Sequence, residues 1–349
     1  MKIPLFAALV AFGLVSPAAA ADIAAYPGAP EIAPPVTHVE KYAPVLEQSR
    51  GIPIDRDKGY GLLDLGQGAW FATEGVYQVM FLKTDDGLIL ADAPPTIGSR
   101  LLAIAEEISP GAPITHLIYS HAHIDHIGFA GAIVEAFPDV EIVAHEETLE
   151  KLKRAADPNR PLPATVFGGE DQIFQLATGG QSLALRYNGP NHQDGNIEIW
   201  HSESRTLMLI DVVFPGWMMW TRLALAEDIP GTFRQIRDLN ERYEYDTLIS
   251  GHVGRPGTRK DVELQVDFMT DLHNAAGAAL GSVTPGEGLE PADLDNPWAV
   301  FDNYIDRVVI QCVNSLIPNW QDKMSGFDVF IYDQCRAMEQ SIRVDGPSL

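Results

Sequence analysis

The sequence predicts an α/β protein, a four-layer αββα sandwich with a helical C-terminal extension. Strand-length apolar runs alternate with helical stretches in two successive β-then-α halves that divide near residue 165, the order that packs helices on sheets. Beyond Thr258 the pattern turns mainly helical, in DVELQVDFMTDLHNAAGAAL and WAVFDNYIDRVVIQCVNSL joined by the Pro/Gly-rich SVTPGEGLEP. The 349 residues are 46% hydrophobic and 21% charged, a globular profile that excludes disorder and collagen-like structure.

Taken in order, residues 1–21 read as a secretory signal peptide. Lys2 precedes an apolar stretch from Leu5 to Val15, too short to span a bilayer, and a small-residue run ending at Ala20 or Ala21 offers an A-x-A cleavage site. The expectation is a periplasmic or secreted protein with no membrane anchor after cleavage; an uncleaved anchor is the alternative. Residues 22–66 carry Pro27, Pro30, Pro34, Pro35, Pro44 and Pro53 and read as an extended arm without regular structure. Strands are expected near Ala69–Thr73, Val76–Lys83 and Leu88–Asp92, with Asp86-Gly87 as a hairpin signal.

The stretch GSRLLAIAEEIS reads as a helix and ITHLIYS as a strand buried on both faces. Helix IGFAGAIVEAF, strand VEIVA and helix EETLEKLKRAA follow, then strands QIFQL, QSLALRY, NIEIW and TLMLID, a helix around Thr232–Tyr243 and a strand Thr247–Ser250. The domain reading is therefore a signal at 1–21, an arm at 22–66, an α/β core at 67–256 and a helical cap at 257–349.

The 24 basic against 48 acidic residues give a formal charge of −24, which repels polyanions and disfavours a nucleic-acid role. Both cysteines, Cys312 and Cys335, lie in the cap. A disulfide there would contribute about 3 kcal/mol in an oxidising compartment; two buried free thiols are the alternative, because spacing alone does not fix the Cα separation.

The chemistry concentrates in SHAHIDHIG, residues 120–128, directly after the buried run ITHLIY. His121, His123 and Asp125 share parity, so an extended loop would project them to one side, while His126 opens the next helix. The carboxyl end of a sheet strand is where α/β proteins usually bind ligands. Among the remaining histidines, His116 and His145 read as hydrogen-bonded core or supporting residues, and His38, His201 and His273 as ordinary. Asp194 and Asn196 read as turn residues that could also orient a ligand.

HAHIDH resembles the HxHxDH signature of the metallo-β-lactamase-fold hydrolases. The rest of that family's ligand pattern follows downstream in order: His192 in GPNHQDGN, Asp211 ending TLMLID, and His252 ending LISGH. The resemblance covers roughly Gln67–Arg255. It implies one metal held by His121, His123 and His192, a second by Asp125, His126 and His252, and Asp211 bridging them. Five imidazoles and two carboxylates favour two Zn²⁺ ions, with iron or manganese as alternatives. With a bridging hydroxide such a site keeps a net charge of about +1, suited to an anionic transition state.

The resemblance further implies a metal-bridging hydroxide attacking an ester or lactone carbonyl, with Asp125 orienting it and moving its proton. Within the family the sequence is similar to binuclear members with a bridging Asp, the acyl-homoserine-lactone lactonases and glyoxalase II-like thioesterases. The lactonases commonly carry Tyr three positions after the bridging Asp, where Phe214 stands. Phe214, Trp217, Met218 and Trp220, with Met219 between them, suggest a pocket for an apolar portion of a small-molecule substrate, or packed core. The alternatives on the same site are β-lactamase or thioesterase activity, or an oxidoreductase similar to the mononuclear iron persulfide dioxygenases. Monomer and homodimer both stay open.

Overall fold

The computed structural model describes residues 42–348; the segment expected to be a signal peptide, the expected arm up to residue 41 and His38 lie outside the described residues. Seven strands line up in chain order in the first sheet: β1 (Gly61–Gly66), β2 (Ala69–Thr73), β3 (Gln78–Thr84), β4 (Gly87–Ala91), β5 (Ile114–Ile118), β6 (Glu141–His145) and β7 (Thr165–Phe167). Pairing is antiparallel through β4 and parallel from β4 to β7. Each parallel step needs a crossover, supplied by α1 (Arg100–Ile108), by α2 (Ile124–Ile127) with α3 (Ala130–Ala136), and by α4 (Glu146–Ala155).

The second sheet has the order β12-β11-β10-β9-β8, from β8 (Ile173–Thr178), β9 (Gln181–Arg186), β10 (Glu198–His201), β11 (Thr206–Leu209) and β12 (Thr247–Ile249). The short turn α5 (Thr221–Leu225) and helix α6 (Ile229–Arg242) connect β11 to its parallel neighbour β12. Strand alternation builds the layers. On β3, Val79 and Phe81 pack with Leu101 and Ile104 of α1, while Met80 and Leu82 face Leu183, Leu185 and Met208 of the other sheet. On β11, Leu207 and Leu209 face Ile236 and Leu239 of α6, and Met208 points inward. The period of two thus fills an inter-sheet core and two outer helix–sheet layers.

Three differences from the sequence reading have physical causes. The arm expected to lack regular structure through residue 66 contains β1: GLLDLG pairs antiparallel with β2, its glycine flanks and Asp64 hiding the strand pattern. Strand β7 is only three residues long and too short to leave a periodicity. The helix expected across IGFAGAIVEAF is two pieces, because α2 closes at Gly128, whose N–H bonds to the Ile124 carbonyl at 2.7 Å, before α3 begins.

The C-terminal helices α7 (Arg259–Ser282), α8 (Pro297–Trp320) and α9 (Phe327–Val344) bury Phe268, Leu272, Val308, Leu316 and Met338 together with Phe214, Met218 and Met219. The cap therefore shares its core with the segment that follows Asp211. Cys312 on α8 is bonded to Cys335 on α9 across a Cα separation of 6.0 Å. Among the described residues no helix is long and apolar enough to cross a membrane.

Alkylation and mass spectrometry of unreduced protein are expected to find no free thiol. The double substitution Cys312→Ser, Cys335→Ser is expected to lower unfolding free energy by about 3 kcal/mol in denaturant titration. Two alkylatable cysteines in the native protein would contradict the bond.

Candidate metal centre

All seven expected ligand residues converge at one end of the sandwich, each delivered by a segment leaving a strand. His121 and His123 lie on the loop after β5, Asp125 and His126 on α2, His192 on the loop after β9, Asp211 just after β11, and His252 just after β12. Parity holds only as far as His123. That residue is the extended N-cap of α2, so the chain coils from Ile124 onward, and the helical turn of about 100° per residue separates Asp125 from the first two histidines. Two groups result: His121, His123, His192 and Asp211, and Asp125, His126 and His252.

Asp211 stands between them. Its Oδ2 lies 3.1 Å from His126 Nε2, 3.2 Å from His192 Nε2 and 3.7 Å from His121 Nε2, while Oδ1 is 3.0 Å from His252 Nε2. His192 Nε2 faces His123 Nδ1 at 3.0 Å, and His126 Nε2 faces His252 Nε2 at 3.2 Å. Asp125 Oδ2 is 3.6 Å from His126 and 3.9 Å from His252. Asp211 has a φ of +63°, a left-handed geometry uncommon for a non-glycine residue.

Burial pushes His121 well below the usual imidazole range and His192 down to about 4. Burial also works against a charged His126, yet the Asp211 carboxylate beside it raises this imidazole to about 9. Burial opposes ionisation of Asp211 too, and the neighbouring His126, His252 and His192 overcome it and hold the carboxyl well below its ordinary value. The result is a buried carboxylate faced by imidazole nitrogens, one of which, His121 Nε2, has no hydrogen-bond partner. Facing ring nitrogens share at most one proton, whereas a cation accepts both lone pairs. The donor set fits divalent metal ions with nitrogen and oxygen ligands.

Outer groups aim the rings. Ser120 Oγ lies 2.9 Å from His121 Nδ1, and the buried Asp92 accepts the Ser120 N–H at 2.8 Å and lies 3.9 Å from His126 Nδ1. Gln193 Oε1 accepts the Ala122 N–H, fastening the His192 loop to the His121 loop. Asn196 donates to the Ile210 carbonyl next to Asp211. Gln78 organises the His252 loop: its amide oxygen accepts the Ser250 N–H at 2.9 Å, and its NH₂ donates to the carbonyls of His252, Val253 and Arg255. Tyr77, paired through its backbone with His252, donates its hydroxyl to Asp125 Oδ2 at 3.2 Å.

The sequence reading missed Tyr77, Gln78, Asp92 and Gln193. Asp92 ends the apolar run LILAD as Asp211 ends TLMLID, a signal that was present. Tyr77 and Gln78 reach the site only because β3 runs beside the His252 loop, a pairing no local pattern encodes. Asn196 is a buried support rather than only a turn residue, whereas Asp194 accepts from the Tyr187 hydroxyl. His116, on β5, contacts Thr115, and His145 caps α4. His201 contacts Ser204 and Gln181, and His273 sits on α7.

A cavity of about 400 Å³ opens over the donors, walled by Ile124, Phe214, Trp220, Ala224 and Leu225. A second of about 830 Å³ adjoins it, sharing Tyr77, Asp125, Phe214, Trp220 and His252. Phe214, Trp217, Met218 and Trp220 all line this larger space. Met219 does not; it is fully buried in the cap core. Phe214 lies nearly parallel to the His252 ring at 5.8 Å and, unlike a Tyr, has no hydroxyl to offer the site.

The fold and the site define a metallo-β-lactamase-like hydrolase scaffold, and a family model for the metallo-beta-lactamase superfamily matches residues 72–274. The chain belongs to that superfamily. It is 29% identical over 242 residues to the 2,4-dinitroanisole O-demethylase subunit alpha of Nocardioides sp. (strain JS1661), covering 65% of each chain. It is 27% identical over 152 residues to a hydroxyacylglutathione hydrolase of Rhodospirillum rubrum, covering 44% of this chain and 52% of that one. The chain thus spans about half to two-thirds of the length of these curated relatives.

Among solved structures, a metallo-beta-lactamase from Pontibacter korlensis superposes with a TM-score of 0.51 at 19% identity, over 60% of this chain and 99% of that one. A stereoselective inverting sec-alkylsulfatase from Pseudomonas sp. superposes at 0.55 and 17% identity, over 82% of this chain and 50% of that one. These likenesses establish the fold.

Two substitutions test the centre. Asp211→Ala is expected to leave the fold, by circular dichroism, and to lose bound metal by elemental analysis; full metal content would contradict the position given to Asp211. Gln78→Leu strips partners from the Ser250 N–H and the loop carbonyls, and is expected to weaken metal retention against a chelator by about 10- to 100-fold. Unchanged retention would show that the His252 loop does not depend on this amide.

Proposed function

We propose that the protein is an exported, binuclear metal-dependent hydrolase of esters or lactones that carry an apolar portion. The observation that carries this reading is the convergence of seven nitrogen and oxygen donor residues, five of which (His123, Asp125, His192, Asp211 and His252) line a cavity whose other walls are largely apolar. His121, His123 and His192 would hold one ion, Asp125, His126 and His252 the other, with Asp211 facing both. Two zinc ions bound there would supply hydroxide at neutral pH and polarise the substrate oxygen.

The chain's own groups do the rest. Asp125, with 41% of its side chain exposed at the cavity mouth, is placed to take a proton at Oδ2, and the Tyr77 hydroxyl fixes its orientation. Phe214 and Trp220 limit water around the reacting bond. Among the described residues no lysine lines either cavity, and the larger one has a single arginine, Arg50, which is 61% exposed and lies 2.7 Å from Glu47. Beyond the metal site itself, the described cavity walls offer a β-lactam carboxylate only this one exposed arginine. The relative named for O-demethylation of 2,4-dinitroanisole favours a second, narrower reading, the cleavage of small activated aromatic ethers on the same site.

Side-by-side kcat/KM measurements on zinc-loaded protein should rank an acyl lactone and an aryl ester at least about tenfold above a cephalosporin, a difference of about 1.4 kcal/mol in transition-state stabilisation. A cephalosporin value equal to or above both overturns the substrate reading. Dinitroanisole in the same panel separates the ether reading, and metal analysis giving one iron instead of two zinc would favour oxidoreductase chemistry.

A further inference from the structure

The larger cavity is lined mainly by apolar residues. At the metal end stand Asp125, His252 and the Tyr77 hydroxyl, which is engaged by Asp125. Away from that end the polar side chains in the wall are turned to other partners. The Trp217 indole N–H donates to the Ser49 carbonyl at 2.8 Å, and the Ser49 hydroxyl donates to the Gly216 carbonyl at 2.6 Å. Arg50 is the exception: it pairs with Glu47 at the surface and keeps 61% of its side chain exposed. What remains for a ligand is mostly apolar surface, aromatic from Phe214, Trp217, Trp220 and Phe330 and aliphatic from Ile52, Ile54 and Val76.

The space is also preformed. Ser325 ties three segments together: its N–H donates to the Gly216 carbonyl, its own carbonyl accepts the Met218 N–H, and its hydroxyl accepts the Leu46 N–H. On the opposite side Gly51 packs on Gly254 so closely that a Cβ at Gly51 would come within 2.9 Å of the Gly254 Cα, and the Ile52 N–H donates to the Gly254 carbonyl. At about 830 Å³ the cavity lies in the upper part of the size range of small-molecule sites. A small acyl group would leave most of its apolar wall wet.

Building on the ester reading above, we infer that this cavity holds an extended, uncharged alkyl portion of the substrate, its reacting carbonyl at Asp125 and His252 and its distal end between Ile54 and Phe330. The substrate class is then a neutral amphiphile, such as a long-chain ester or a lactone with a long alkyl substituent.

The test uses two readouts. On zinc-loaded protein, kcat/KM for p-nitrophenyl esters from acetate to decanoate should rise about fourfold per added methylene until the cavity is filled, the gain expected for burying each group. Independently of turnover, decanol should displace Nile red from metal-stripped protein far better than butanol. Phe330→Asp, with Val76→Asp at the exposed rim as the variant that spares the packed core, should cut decanol displacement about tenfold and flatten the chain-length series. Esters hydrolysed with no chain-length dependence would overturn the inference and leave the ester reading standing. Decanol displacement sensitive to both substitutions, with no ester or lactone turned over, would remove the ester reading and keep the alkyl cavity. Decanol displacement that ignores both substitutions overturns the inference.

Discussion

The Asp211 carboxylate, buried among imidazoles, is the interaction around which the site is arranged. A lone carboxylate in such a place would be protonated, because desolvation penalises its charge. Here His126, His192 and His252 approach within 3.0–3.2 Å and keep it ionised. Those three rings come from α2 and two loops, on segments that follow strands of both sheets, so the electrostatic requirement at one carboxylate ties the separate ends of β5, β9, β11 and β12 together. The left-handed backbone at Asp211 turns its carboxylate into that meeting point, and the Asp211 N–H bond to the Ser250 carbonyl fixes the turn against the segment carrying His252. Backbone strain of this kind persists where surrounding contacts over-determine it.

Much of this was legible because the chemistry is written locally. The hexapeptide HAHIDH places four donor residues in six positions, and three further apolar strands each end in or near a donor, so the donor set and the sandwich could both be read from runs of residues. The partition of the donors was legible only as a likeness to a family, since parity in an extended loop would have grouped Asp125 with His121 and His123. The structure separates them because α2 starts one residue after His123. Strand β1 was hidden for a related reason: its partly buried GLLDLG has weak alternation, and only pairing with β2 defines it.

The supports and the cavity wall were not legible, because they are juxtapositions across long separations. Gln78 serves carbonyls more than 170 positions away, and Ser49 meets Trp217 at a separation of 168. No spacing rule connects such residues, and each has an ordinary identity in its own neighbourhood. A glutamine at the head of a strand resembles any polar strand residue until its amide is seen closing three carbonyls of a ligand-bearing loop. The same holds for FPGWMMW, where the sequence left pocket and core as alternatives. The structure divides the segment, with Trp217, Met218 and Trp220 reaching the cavity and Met219 turned into the cap.

That division gives the cap a part in the site. Between Met218 and α6 the chain passes through α5, where Arg222, Leu223, Ala224 and Leu225 all have φ between +51° and +56°. Left-handed backbone costs a non-glycine residue about 1–2 kcal/mol, so four in succession need strong external contacts. Gln334, fully buried on α9, accepts the Leu223 N–H at 2.7 Å and donates to the carbonyls of Met219 and Trp220, and Thr221 bonds to Asp333 on the same helix. Ala224 and Leu225 then form the wall of the smaller cavity beside His192. The next residue on α9, Cys335, is bonded to Cys312 on α8. The covalent link that holds the cap helices together is thus one residue from the amide that holds the turn, and the turn shapes the space above the donors. A helical extension outside the sandwich acts on the site through this chain of contacts, not through any residue of its own among the donors.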